Sequence, residues 1–142
     1  MLPGTLTTVA YLAQVRPLIP LEERARFLVA DLEVQALLRA GDLPAAARQL
    51  EASHQQVAAR AAADPANTQW QRDLSISHER LGDIAAAAGD LTAARTHYQA
   101  GLDIAVRLAA ADPANAQWQS DLSFVRQRIA KLGEAQQESQ GT

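Results

Sequence analysis

Apolar residues recur every three or four positions along most of the chain, a spacing that predicts amphipathic α-helices. After Asn67, for example, Trp70, Leu74 and Leu81 share one helical face, and the segment after Asn115 repeats this spacing. No stretch alternates apolar and polar residues with a period of two, so strands are not expected. The pattern predicts six helices, at residues 5–16, 21–40, 43–62, 68–88, 91–111 and 116–136.

The chain also repeats itself at an interval of 48 residues. Residues 41–88 pair with residues 89–136, and 21 of these 48 pairs are identical. Self-similarity at a fixed interval is typical of arrays built from one repeated structural unit. The identities concentrate in two short sequences, Gly-Asp-Leu and Asp-Pro-Ala-Asn, which lie where the predicted helices end.

Both short sequences carry signals that end one helix and begin the next. Gly41 and Gly89 can adopt the left-handed backbone conformation that closes a helix, and the aspartate after each can cap the following helix. A proline disfavours helical geometry at the residue before it, so a helix should end at the alanine before each Asp-Pro pair. Asn67 and Asn115 are then the expected N-caps. Links this short make neighbouring helices antiparallel, so we predict an all-α fold of helical hairpins.

Composition agrees with this fold and limits the function. Alanine, the best helix former, is abundant, and only 4% of the residues are aromatic. The absence of cysteine excludes disulfides and thiolate metal sites. Acidic and basic residues are interleaved, with a net charge of −3, so the basic patch of a nucleic-acid-binding protein is missing. No apolar run reaches the roughly 20 residues of a membrane span, and we expect a cytoplasmic protein.

At the level of motifs the chain resembles the tetratricopeptide repeat (TPR) family. The residues that carry the resemblance are Leu81 and Gly82 in a first helix, Gly89, Asp90 and Leu91 at the turn, Ala94, Tyr98 and Gly101 in the second helix, and Pro113 at the exit. The family's usual period is about 34 residues, so each helix here would be longer by about two turns. The resemblance implies stacked antiparallel hairpins in a short right-handed solenoid over residues 21–136. A short helix and proline-containing linker at 1–20 would precede it, and a disordered tail at 137–142 would follow it.

A row of large apolar residues lies out of phase with the main apolar stripe of the first helices. It consists of Leu28, Ile76 and Phe124, which are spaced 48 residues apart. In TPR arrays the first helices form the concave wall, so the resemblance implies that a partner segment docks beside this row. The alternative is that the three side chains pack successive first helices against each other.

Two polar rows follow the apolar row at the same interval, and they complete the predicted partner-binding surface. The predicted surface residues are Leu28, Ile76, Glu79, Asp83, Phe124, Gln127 and Lys131. Glu79 and Asp83 would repel an acidic partner, so a basic or apolar peptide is expected.

Chemistry of other kinds has weaker support in the sequence. The chain has no zinc-protease, phosphate-loop or nucleophile-elbow motif, so we expect no enzymatic activity and no cofactor. His78 and His97 could share a metal ion with a carboxylate across a hairpin, although isolated histidines are usually incidental. Trp70 and Trp118 occupy equivalent positions and are predicted to pack in the core instead of stacking on a ligand.

We therefore expect a protein-interaction scaffold or adaptor that binds a protein or peptide partner and neither nucleic acid nor membrane. The first alternative is a structural segment of a larger signalling assembly that self-associates into a homo-oligomer. A metal-binding protein or enzyme is a remote second alternative.

Overall fold

A computed structural model describes the backbone of residues 23–141 and the side chains from residue 31 onward. The described part of the chain is helical, without strands, which confirms the predicted all-α class. Its helices are α1 (Glu23–Arg39), α2 (Leu43–Ala63), α3 (Thr68–Ala87), α4 (Leu91–Ala111) and α5 (Ala116–Gln140). The helix predicted at 5–16 and the linker at 1–20 lie outside the described residues.

The observed helix boundaries follow the predicted ones closely, except at the end of α5. This helix continues to Gln140, four residues past the predicted end and into the segment predicted to be a disordered tail. The reason is local, because glutamine, glutamate and alanine are good helix formers and no glycine or proline occurs between Gly133 and Gly141. None of the described helices is long and apolar enough to cross a membrane.

The two Gly-Asp corners have the same backbone geometry. Gly41 and Gly89 have φ angles of +79° and +85°, the left-handed region that glycine adopts without steric cost. At the second corner the N–H of Gly89 donates to the carbonyl of Ala86 at 3.0 Å, and the N–H of Asp90 donates to that of Ala85 at 2.9 Å. This pair of hydrogen bonds satisfies the last carbonyls of α3. The Asp90 carboxylate then accepts from the first turn of α4, as predicted.

The two Asp-Pro corners are also alike. The N–H of Asn67 donates to the carbonyl of Asp64 at 3.0 Å, and the corner at 112–115 closes in the same way at 3.0 Å. The side-chain oxygens of Asn67 and Asn115 accept from the N–H of the tryptophan three residues on, at 3.2 and 3.1 Å. Both asparagines are therefore N-caps, as the sequence predicts.

A further repeated contact at the Asp-Pro corners was not predicted. The side-chain amide of Gln71 donates to the carbonyl of Ala61 at 3.2 Å, and Gln119 donates to Ala109 at 3.1 Å. Each glutamine satisfies a carbonyl in the last turn of the preceding helix. This contact gives a physical reason for the glutamine after each tryptophan in the repeated sequence.

The chain divides into two compact units, with a boundary between Gln55 and Gln56 inside α2. The prediction of one repeat domain over 21–136 placed no boundary there. In the first unit Val34, Ala46 and Leu50 are buried. In the second unit α3 packs on α4, and α4 packs on α5.

Small residues bring α3 and α4 close together in the second unit. A Cβ atom on Gly82 would lie 2.5 Å from the ring of Tyr98, so only glycine fits beneath this ring. The Ser75 hydroxyl donates to the carbonyl of Gly101 at 2.9 Å, a second close approach of the two helices. Gly82 and Gly101, which belong to the residues that carry the TPR resemblance, thus let the two helices approach closely.

The core of the second unit continues from this contact onto α5. It is formed by Ala94, Tyr98, Ala105, Ala109, Leu122, Val125 and Leu132. Trp70 and Trp118, which were predicted to pack in the core, are only half-buried. Both tryptophans lie in the first turn of their helices, close to the corners that they follow.

Candidate partner-binding groove

The second unit carries an open groove of about 550 Å³ between the C-terminal half of α3, the start of α4 and α5. Its apolar lining comes from Ala86, Leu91, Phe124, Leu132 and Ala135. Its polar lining comes from Asp83, Tyr98, Gln127, Arg128 and Lys131. The groove lining thus combines apolar side chains with charged ones.

Phe124 is the most prominent apolar side chain of this groove. It is 53% exposed, whereas Leu122 and Val125 beside it on α5 are buried. Phe124 therefore lies on the helical face that turns away from the core. Of the two interpretations of the apolar row, exposure at a groove describes Phe124 better than full burial between helices.

The seven predicted partner-binding residues fall into three groups. Asp83, Phe124, Gln127 and Lys131 line the groove. Ile76 is half-buried and Glu79 is buried, and neither lines the groove. Leu28 belongs to α1 in the first unit, and its side chain lies outside the described part of the chain.

Asp83 is held by partners from two other helices. The hydroxyl of Tyr98 on α4 donates to Asp83 Oδ1 at 2.6 Å, and Nε of Arg128 on α5 donates to the same oxygen at 2.9 Å. Burial and, to a smaller extent, the hydrogen bond to Asp83 raise the pKa of Tyr98 above its usual range. The phenol therefore keeps its proton and remains a donor. The hydrogen bond to Asp83 also raises the pKa of Arg128. The Asp83 charge is therefore compensated inside the groove wall.

Glu79 lies one turn before Asp83 on α3. Only 9% of the residue is exposed, and its Oε1 has no hydrogen-bond partner among the described residues. Its pKa is raised to about 7, mainly by burial; Asp121 and Asp83 also raise it, whereas Arg128 and Arg80 lower it. Glu79 is therefore a buried group that changes charge near neutral pH, and not a fixed negative charge on the protein surface.

A second ion pair links α3 to α5. Arg72 donates to both carboxylate oxygens of Asp121, from Nε at 2.7 Å and from Nη2 at 3.2 Å, and both side chains are about one-fifth exposed. Neither this pair nor the Arg128–Asp83 pair was predicted from the sequence. A signal was present, because the paired residues lie 49 and 45 positions apart, close to the 48-residue repeat. Opposite charges near that interval can meet when equivalent helices lie side by side.

The structure also brings together the two histidines singled out from the sequence. Nδ1 of His78 on α3 and Nδ1 of His97 on α4 are 3.5 Å apart, and both rings are half-buried. Within residues 31–141, no group of three or more His, Cys, Asp or Glu side chains has the geometry to hold a metal ion. The carboxylate with which the histidines could have shared a metal ion is thus not part of the pair.

Comparisons with family models, with curated proteins and with solved structures found no match to this chain.

Proposed function

We propose that this chain is a protein-interaction module without catalytic activity, and that the groove of the second unit receives an apolar segment of a partner protein. The observation that carries this proposal is Phe124, a large aromatic side chain that is 53% exposed while it lines an apolar groove. Exposed apolar surface of this kind is typical of interaction sites. Burying such a side chain under a partner would contribute about 1–3 kcal/mol.

The charges along the groove indicate the chemistry of that partner. Arg128 and Tyr98 already engage Asp83, and Glu79 is buried and does not line the groove. The remaining charged side chain of the lining is Lys131, which is exposed. An apolar residue flanked by a carboxylate therefore suits the groove better than the basic segment expected from residue identities alone.

We further propose that the hairpins form a TPR-like array. Support comes from the two kinds of corner, each of which occurs twice with matching hydrogen bonds, and from the packing of α3, α4 and α5 in chain order. Under this proposal the groove belongs to the wall formed by first helices, where the resemblance puts the partner.

A peptide selection experiment tests the groove directly. Random dodecapeptides displayed on phage would be sorted on the immobilised chain, and enriched peptides would be measured in solution by fluorescence polarisation. We expect them to combine an apolar residue with aspartate or glutamate. Phe124→Ser should weaken their binding by about tenfold or more, as expected for a central aromatic contact.

Val106 supplies the matched control for this variant. It is also a large exposed apolar residue, at 41%, but it lies on α4 outside the groove lining. Val106→Ser should change the affinity by less than about twofold, as expected away from an interaction site. Equal effects of the two variants, or none from Phe124→Ser, would contradict the proposed groove. A concentration-dependent dimer that is lost only in Phe124→Ser would instead identify a second copy of the chain as the occupant.

A further inference from the structure

The His78 and His97 rings point directly at each other across the α3–α4 contact. An imidazole nitrogen lies about 1.15 Å from the centre of its ring. The ring centres are 5.8 Å apart and the two Nδ1 atoms are 3.5 Å apart, so both nitrogens lie close to the line that joins the centres. A lone pair on either Nδ1 points outward from the ring and is therefore aimed at the opposite Nδ1.

The gap between these nitrogens is too wide for a good hydrogen bond. Direct hydrogen bonds from N–H groups have heavy-atom separations of about 2.7–3.2 Å. The observed 3.5 Å leaves additional space between two aligned donor atoms. Two opposed nitrogen lone pairs at nearly this separation are the donor set of a two-coordinate ion.

Contacts between the two helix backbones hold the histidine rings close together. Ser75, one turn before His78, donates to the carbonyl of Gly101, one turn after His97, at 2.9 Å. On the other side, the ring of Tyr98 lies against Gly82 with no room for a Cβ atom. The two helices are thus held together on both sides of the histidine pair.

We propose that His78 and His97 bind one Cu(I) ion through their Nδ1 atoms. Cu(I) is stable with two imidazole ligands in a linear arrangement, which requires nitrogens about 3.8 Å apart, about 0.3 Å more than observed. A tetrahedral zinc site would require lone pairs that converge at about 109° on the metal, so each ring would have to turn by about 35°. Because the two lone pairs oppose each other, the site favours Cu(I) in a linear arrangement over zinc in a tetrahedral one.

Binding requires both Nδ1 atoms to be free of protons. The ring that carries its proton on Nδ1 transfers it to its own Nε2, through solvent, and each Nδ1 then donates its lone pair to the metal. Copper enters and stays as Cu(I), so no electron is transferred. This site is independent of the proposed groove and does not require its partner.

The test is an anaerobic titration of the full chain with Cu(I) against the chromophoric chelator bicinchoninate. We expect one Cu(I) per chain, with X-ray absorption reporting two nitrogen ligands at about 1.9 Å in a linear geometry. The chain contains no cysteine, so thiolates cannot compete for the ion. His97→Asn and His78→Asn should each weaken binding by more than about tenfold, with unchanged circular dichroism spectra.

His54, on α2 in the first unit, provides the control. His54→Asn should retain one Cu(I) per chain with the wild-type affinity. The proposal is overturned if the wild-type chain fails to compete with the chelator or if binding survives in His97→Asn. It is also overturned if X-ray absorption reports three or more protein ligands.

Discussion

Replacing Glu79 by glutamine should make the chain more stable at pH 8 but not at pH 5. The carboxyl is buried and lacks a partner for Oε1 among the described residues, so its charged form is disfavoured in the folded state. Glutamine has nearly the same shape and stays neutral at every pH. The variant therefore removes the charge and leaves the packing in place.

The size of the effect follows from the pKa of Glu79. This pKa is about 7 in the folded protein, compared with the ordinary glutamate value of 4.5. A carboxyl whose pKa is raised by folding stabilises the protein below its unfolded pKa, and this stabilisation is lost as the pH rises through the folded pKa. At about 1.4 kcal/mol per pKa unit, the loss has an upper bound of about 3.5 kcal/mol, most of it between pH 5 and pH 8.

Urea unfolding followed by tryptophan fluorescence reports on the second unit, to which Glu79 belongs. The chain contains two tryptophans, Trp70 and Trp118, and both belong to the second unit. We expect the free energy of unfolding of the Glu79→Gln variant to exceed that of the wild type by about 2–3 kcal/mol at pH 8 and by less than about 1 kcal/mol at pH 5. Comparing variant with wild type at each pH removes the contribution of the histidines.

The control for this experiment is Glu134→Gln, a change at an exposed glutamate of α5. It should shift stability by no more than about 0.5 kcal/mol at either pH. A difference between Glu79→Gln and wild type that is the same at pH 5 and pH 8 would refute the reasoning. So would a variant that is less stable than the wild type at pH 8.

Two further predictions concern the packing of the second unit. Gly82→Ala should destabilise the chain by about 1–3 kcal/mol, because its Cβ would lie 2.5 Å from the Tyr98 ring. Gly133→Ala, where nothing lies within 4 Å of the added Cβ, should instead stabilise α5 by up to about 1 kcal/mol, and equal shifts in urea midpoint would contradict this account. A double-mutant cycle of Arg72→Ala and Asp121→Ala should give a coupling energy on the order of 1 kcal/mol, since this bidentate pair is about four-fifths buried. A coupling near zero would mean that the pair does not help to hold α3 against α5.

The sequence predicted the corners because the physics that forms them is local. A glycine with positive φ, a proline that disfavours helix before it and an asparagine that caps a helix all act within a few residues. The corners at 41–42, 64–67, 89–90 and 112–115 were therefore predictable without knowledge of the tertiary fold. The helix bounds followed from the corners, and the all-α class followed from the helices.

The candidate site was only partly predictable. The 48-residue repeat shows which residues occupy equivalent positions on their helices, but it does not show which of these side chains are exposed. Ile76 and Phe124 occupy equivalent positions, yet Phe124 lines the groove and Ile76 does not. From the sequence, Glu79 and Asp83 were both expected to be negatively charged residues of the partner-binding surface. The structure buries the first and pairs the second with Arg128.

The amino-acid sequence by itself determined where the described helices begin and end at the four corners, because those boundaries depend on backbone preferences of adjacent residues. Only the tertiary structure decided which side chains of the second unit meet and which of them are charged. The Asp83 contacts with Tyr98 and Arg128 join residues 15 and 45 positions apart, and the histidine pair joins residues 19 apart. Such contacts depend on how helices rotate and pack against each other, and burial then sets the charge of groups such as Glu79.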